Sequence, residues 1–250
     1  MSSLARIQDS IGPSFSMLFT RFCIRPAKLG MEYVIRRSSK SGTRTYFDPR
    51  DFPWTKELEA DWTAIRTELD EVLAKAERIP EFSDLSPPQA AIVEGTAWKS
   101  FFLFVTGEKV KPNCERCPRT TALLERIPGM QSAFFSILAG RTRIKPHTGP
   151  YGGVLRYHLG LRVPSPASGC GIRVGGDVAH WSEGKSMIFD DSHEHEAWND
   201  TDEARVVLFV DFERPLPKPL SWVNRLVLDL VARAAFALEL KANLARAEAR

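Results

Sequence analysis

The sequence is poor in cysteine: Cys23, Cys114, Cys117 and Cys170 are the only four in 250 residues. So few thiols in so long a chain argue against a cystine scaffold and point to a reducing compartment, the cytoplasm. No run of about 18 uncharged apolar residues exists, which argues against a membrane-spanning helix. The opening segment, MSSLARIQDSIGPSFSMLFTRFC, lacks a long apolar stretch ahead of a small-residue cleavage site, so the expectation is a protein that is not secreted. Excess charge is missing too. Thirty-four Lys and Arg against 31 Asp and Glu leave +3, too little to infer a nucleic-acid partner. There is no internal repeat and no low-complexity tract. What remains is ordinary globular composition, 43% hydrophobic and 26% charged, in a chain long enough to bury a full core.

Histidine is absent from most of the chain, and this absence is informative. All five histidines lie between His147 and His195. Imidazole is the commonest metal ligand and the side chain that titrates nearest neutral pH, so such crowding marks a metal or acid/base site.

The chain divides by texture. Residues 1–46 are basic, and SFSMLFTRFCI (14–24) mixes bulky apolar side chains with Arg21. Leu58, Trp62, Ile65, Leu69 and Val72 recur at three- or four-residue steps, predicting a helix capped by Asp51 or Thr55 and running through Ala76. A shorter helix is expected over Thr120–Arg126, stopped by Pro128-Gly129, and EFSDLSPPQAA (81–91) reads as a loop. From Trp98 the pattern changes to short strands: 98–105, 132–138, 154–163, 171–174, 186–190 and 205–212, rich in β-branched and aromatic residues. Within 155–159, Arg156 and His158 fall on one face, whereas 206–210 is apolar throughout and implies burial on both faces. Many short strands at regular spacing predict a mainly β fold of the jelly-roll kind. After a Pro-rich connector at 214–219, the chain reads as an amphipathic helix. Arg225, Asp229 and Arg233 share one face, with Trp222, Leu226, Leu230 and Leu238 elsewhere, and it either packs on the β core or lies on a membrane surface. The expected units are 1–95, a basic segment with helical support; 96–215, the β core; and 216–250, the C-terminal helix.

The chemistry-bearing residues cluster in the β core. A mononuclear non-haem iron(II) oxygenase needs two histidines on one side of the metal, with positions left open opposite. Oxidising a C–H bond with dioxygen needs two further electrons, commonly from 2-oxoglutarate, whose distal carboxylate is best matched by the planar fork of an arginine. In a jelly roll, histidines about fifty residues apart converge. His147 and His195 have that separation, and Arg205 begins a strand ten residues further on.

These residues belong to a longer pattern. Pro-His-Thr-Gly-Pro (146–150), Leu-Arg-Tyr-His-Leu-Gly-Leu (155–161), Trp-Ser-Glu-Gly-Lys (181–185), Ile-Phe-Asp-Asp-Ser-His-Glu-His-Glu-Ala-Trp (188–198) and Arg205 occur in order. Over Trp98 to about Pro215 the chain resembles the aspartyl/asparaginyl β-hydroxylases, a family of iron(II)- and 2-oxoglutarate-dependent dioxygenases. The resemblance implies a double-stranded β-helix (jelly roll, cupin-like) with flanking helices on its N- and C-terminal sides. It implies that His147 and His195 ligate iron, that Arg205 and Ser136 hold the distal carboxylate of 2-oxoglutarate, and that Arg156 and His158 make further polar contacts to the co-substrate or its surroundings. Trp98 matches an aromatic at the pocket wall. The family lacks the carboxylate of the common facial triad, and the residue two after His147 is Gly149. His193 departs from the family, which often has an apolar or aromatic residue there. Two residues apart on a strand, it would share a face with His195.

Plainer readings stand beside these. His147 could be a loop histidine, Arg205 a surface residue paired with Asp202 or Glu203, and His180 and His193 structural or exposed. Cys114 and Cys117 form a CxxC with no second half, hence two ordinary thiols. Asp190-Asp191 reads as a turn giving outer hydrogen bonds. The function implied is a C–H hydroxylase using iron(II), 2-oxoglutarate and dioxygen, of aspartyl/asparaginyl β-hydroxylase type. The alternatives are a lipid A acyl-chain hydroxylase at the inner membrane surface and a non-catalytic cupin-like binding protein. Expected partners are a peptide, amino-acid or lipid substrate and, through the terminal segments, a membrane surface; nucleic acid is not among them.

Overall fold

The computed structural model describes residues 30, 33–75, 79, 92–95, 97–149 and 151–230. The segment at 14–24, Cys23, Ala76, the loop at 81–91, Pro150, and Arg233 and Leu238 of the C-terminal helix lie outside them.

The β-branched and aromatic runs form two antiparallel sheets. The larger has seven strands, β1 (Tyr46–Phe47), β10 (Ser186–Phe189), β7 (Val154–Arg162), β12 (Arg205–Glu213), β5 (Met130–Leu138), β3 (Trp98–Val105) and β4 (Glu108–Lys109), in that spatial order. The smaller runs β2 (Val93–Glu94), β6 (Thr142–His147), β11 (His195–Asn199), β8 (Cys170–Val174) and β9 (Asp177–His180). This is a mainly β jelly roll, as the strand pattern predicts. Six helices are described: α1 (33–37), α2 (Thr55–Ala60), α3 (Trp62–Lys75), α4 (Lys111–Arg116), α5 (Pro118–Leu124) and α6 (220–230).

The seven-stranded sheet is covered on both faces, which explains its continuous apolar strands. Alternate residues of β12, Val206, Leu208, Val210 and Phe212, join a core with Leu58, Ile65 and Leu69 of the helices. The intervening Val207 and Phe209 join a second core with Ile144, Ile172 and Ala197 of the small sheet. The site lies in this second layer, between the sheets.

The expected single helix through Ala76 is two helices, α2 and α3, broken at Asp61 (φ −100°, ψ 11°). Its apolar stripe is right, but the caps are not. Asp51 belongs to a short 3₁₀ turn, and the Thr55 hydroxyl donates backwards to the Phe52 carbonyl at 2.8 Å instead of capping an N–H. The second helix, expected over Thr120–Arg126, spans Pro118–Leu124 and is preceded by α4. Cys114 and Cys117 are free and buried there, and burial pushes the Cys117 thiol up to about 12.

The described part of α6 does not pad the β core with its apolar stripe: Trp222, Leu226 and Leu230 are 60%, 59% and 58% exposed. Its buried side chain is Asn224, whose amide donates to the Gly153 carbonyl at 2.9 Å and accepts from the Tyr151 hydroxyl at 2.8 Å. The helix turns Asn224 with the half-buried Val227 and Leu228 towards the protein, and leaves Trp222, Leu226 and Leu230 exposed beside Arg225 and Asp229. Among the described residues no helix is long and apolar enough to cross a membrane.

Candidate active site

The register of two strands makes the histidine pair. His147, ending β6, is the direct cross-strand partner of His195, opening β11, and their rings lie 4.1 Å apart centroid to centroid. His147 Nδ1 sits 2.8 Å from the Lys145 carbonyl, and His195 Nδ1 3.0 Å from the His193 carbonyl. A carbonyl only accepts, so both neutral rings carry their proton on Nδ1 and turn the Nε2 lone pair outward. That is the form in which imidazole binds a metal. His195 Nε2 is buried without a hydrogen-bond partner among the described residues. Burial lowers the pKa of both rings, His195 to about 3, aided by Arg156 and His147. Both rings therefore favour the neutral form at pH 7.

The seven residues singled out from the sequence, Trp98, Ser136, His147, Arg156, His158, His195 and Arg205, line one cavity between the sheets. The cavity volume is about 30 Å³. Strand alternation aims them inward: Ser136 from β5, Arg156 and His158 from β7, Arg205 from β12. The Trp98 indole N–H donates to Ser136 Oγ at 2.9 Å, and Arg205 Nη1 reaches the same oxygen at 3.5 Å.

Arg205 is the least compensated charge here. It is 2% exposed, and its guanidinium lies over the Trp181 ring at 4.4 Å, beside the Cys170 thiol. Among the described residues its Nε has no partner and no carboxylate comes within ion-pair distance. Asp202, one surface partner conceived from the sequence, pairs instead with Arg141 at 2.8 Å. Desolvation lowers the Arg205 pKa, which is the energetic signature of a buried cation lacking its anion. Arg156 differs. It pairs with Asp191 and Asp211 at 2.9 Å each and rests on the Phe209 ring at 4.4 Å, so its charge is already met.

The turn between β10 and β11 is built from charge. Asp190 accepts from the Ser192 N–H (3.1 Å) and hydroxyl (2.6 Å) and meets Arg214 Nη2 at 2.6 Å, both ionic side chains being fully buried. Asp191, pushed up to about 6 by burial against the opposing pull of Arg156, accepts through its carbonyl from the Gly149 N–H at 2.7 Å. A Cβ on Gly149 would overlap the Asp191 carboxylate. The Asp190-Asp191 pair is thus a turn with outer polar contacts, as the sequence suggests. Arg214→Met would leave Asp190 buried without its cation; we expect a loss of about 3–5 kcal/mol in stability, measurable as a lowered urea midpoint.

His193 precedes β11, so the shared-face argument does not apply to it. Its ring faces Arg36, whose Nη2 lies 2.8 Å from Nε2. His180 is exposed, with Nδ1 3.0 Å from the Cys170 carbonyl. Sequence reasoning assigned no role to Trp181, Asp211 or Asn224. For Asp211 a signal was present: a carboxylate two residues after Phe209 and six after Arg205, on the same strand face, in an otherwise apolar run. Among the described residues no cluster of three or more His, Cys, Asp or Glu forms a metal cage.

Comparison with known proteins identifies relatives among hydroxylases. The family model described as aspartyl/asparaginyl beta-hydroxylase matches residues 59–215. An ornithine lipid ester-linked acyl 2-hydroxylase from Rhizobium tropici is 46% identical over 201 residues, covering 80% of this chain and 72% of that protein. An aspartyl/asparaginyl beta-hydroxylase from Mus musculus is 36% identical over 178 residues, 68% of this chain but only 23% of that much longer protein. Among solved structures, a Pseudomonas putida prolyl-4-hydroxylase aligns over 64% of this chain and 98% of its own, with a TM-score of 0.41 and 12% identity.

Proposed function

Because the chain belongs to the aspartyl/asparaginyl β-hydroxylase family, we propose that it is an iron(II)- and 2-oxoglutarate-dependent dioxygenase that hydroxylates a lipid acyl chain. The observation that carries this reading is the buried Arg205 without an anion, in one cavity with two imidazoles whose Nε2 lone pairs are free. Those orphaned groups fit the metal and a dianionic co-substrate. His147 and His195 would hold the iron, Arg205 with Ser136 the distal carboxylate. Iron(II), when bound, supplies the centre at which dioxygen is reduced at the expense of 2-oxoglutarate. The protein's own part is to keep both imidazoles neutral, to neutralise the co-substrate's charge and, with Trp98 and Phe209, to exclude water. Arg156, held by two carboxylates, braces the β10–β11 turn beneath His195 and leaves direct co-substrate contact to His158.

A lipid substrate is supported by the 46% identity to a lipid acyl hydroxylase and by the exposed Trp222, Leu226 and Leu230 of helix α6. Tryptophan and leucines facing outward, with Lys218 beside the Trp222 ring at 5.4 Å, suit the headgroup boundary of a bilayer. This reading puts the protein in the cytoplasm, peripheral at the inner membrane surface. An aspartyl or asparaginyl peptide is the runner-up, supported by the mouse relative.

The test is purified protein with iron(II), 2-oxoglutarate and oxygen, assayed for succinate, with acyl lipids or Asp/Asn peptides added. Succinate coupled to a lipid gaining one oxygen supports the full reading; coupling to peptide alone overturns the lipid half; no succinate under any condition overturns the whole. Co-sedimentation with anionic vesicles at low salt checks the membrane contact, which Trp222→Glu should weaken.

A further inference from the structure

Trp181 has no part in the function as described so far, yet it touches both polar groups at the floor of the cavity. It follows β9 directly, is 1% exposed, and stacks under the Arg205 guanidinium at 4.4 Å. Its indole N–H donates to His158 Nδ1 at 3.2 Å. An indole nitrogen is a donor only, so His158 Nδ1 must be the acceptor, and the neutral ring must carry its proton on Nε2. Burial, together with Arg205 and Arg156, keeps this ring neutral. Phe189 and Phe209, each 5.0 Å away centroid to centroid, hem the ring in. His158 Nε2 is buried and has no hydrogen-bond partner among the described residues.

The three cavity histidines therefore divide by tautomer. His147 and His195 give their Nδ1 protons to carbonyls and present a lone pair. His158 is addressed on the opposite nitrogen by a donor, and presents an N–H. A lone pair suits a metal; an N–H suits an anion and repels a metal ion. We infer that Trp181 is a positioning residue that fixes His158 as the Nε2–H tautomer and holds Arg205 flat, so that the cavity offers a neutral donor and a cation to a single anionic co-substrate. The inference rests on the co-substrate reading above and adds the group that sets the donor. It also gives His158 a distinct identity: a third cavity histidine that is barred from the metal by one hydrogen bond from its neighbour.

Nitrogen-15 NMR of the metal-free full chain, labelled at histidine, reads the tautomer without any turnover. Wild type should show the His158 proton on Nε2, and Trp181→Phe should shift it towards Nδ1 or a mixture. In the same variant the Kd for 2-oxoglutarate, measured without oxygen on the iron(II)-loaded protein, should rise roughly tenfold or more while iron(II) affinity holds. A second pair of variants does not depend on Trp181 being replaceable. His158→Gln keeps an acceptor for the indole and a donor for the anion, and should bind 2-oxoglutarate within a few-fold of wild type. His158→Leu, which has neither, should lose roughly tenfold or more. An unchanged nitrogen pattern in Trp181→Phe, or equal weakening by Gln and Leu, overturns the role of Trp181. Wild-type protein that binds iron(II) but not 2-oxoglutarate overturns the co-substrate reading instead.

Discussion

On the proposed reading, replacing His195 with alanine should abolish iron(II) binding and, with it, succinate formation. The expectation follows from the number of ligands on offer. His147 and His195 face one another across a single strand pair, and among the described residues no third His, Cys, Asp or Glu joins them. Removing one leaves a lone imidazole. Loss of an outer partner alone typically weakens a metal site 10- to 100-fold, so loss of one of two ligands should exceed roughly 100-fold. His147→Ala should match it. His193→Ala should bind iron(II) nearly as wild type, because that ring precedes the strand and faces Arg36. Equilibrium dialysis of iron(II) under anoxic conditions decides between them. Should His193→Ala fail while His195→Ala binds, the ligand is two residues earlier than the tautomer argument places it.

The second large effect belongs to Arg205→Lys. The substitution keeps one positive charge, so a purely electrostatic role would survive it. A guanidinium, however, presents parallel N–H groups that match both oxygens of a carboxylate, whereas an ammonium is a point donor on a shorter stem. Buried on Trp181 and within 3.5 Å of Ser136, the arginine has its plane fixed before any ligand arrives. A lysine in the same apolar setting also deprotonates more readily. Losing one or two charge-assisted hydrogen bonds predicts a KM for 2-oxoglutarate raised roughly 10- to 100-fold, with iron(II) affinity retained. An unchanged KM would remove Arg205 from the co-substrate site.

Much of this architecture is legible in the sequence because the larger sheet is buried on both faces. Apolar runs such as 205–212 and 132–138 carry their burial openly, and their strands begin within two residues of where the pattern puts them. The small sheet is harder. In β6, Arg143 and Lys145 face solvent and Pro146 precedes His147, so the strand resembles a polar loop. In β11, His-Glu-Ala-Trp-Asn contains no β-branched residue at all. These are the two strands that bring the histidines together; the site rests where strand propensity is weakest. The site residues themselves were found through motif order and spacing. The contacts of Trp181 and Asp211 depend on which strand lies beside which, and that information is not local. The orientation of α6 is likewise hidden: a stripe at 222, 226 and 230 states that the helix has an apolar face, not which way that face turns.

Gly149 also limits the routes by which this protein can change. The residue two after the first histidine is where a three-ligand site would carry its carboxylate, and a single substitution could in principle install one. Here that substitution meets an occupied volume, since the first side-chain atom would overlap the Asp191 carboxylate, itself anchored by Arg156. Removing Asp191 first would strip Arg156 of one of its two carboxylates and loosen the turn that carries His195. Each single step is costly, and only the double change is open. On the proposed reading, the two-histidine arrangement is protected by the crowding of positions 149 and 191, and random mutagenesis that seeks a third ligand should recover it only as a coupled pair.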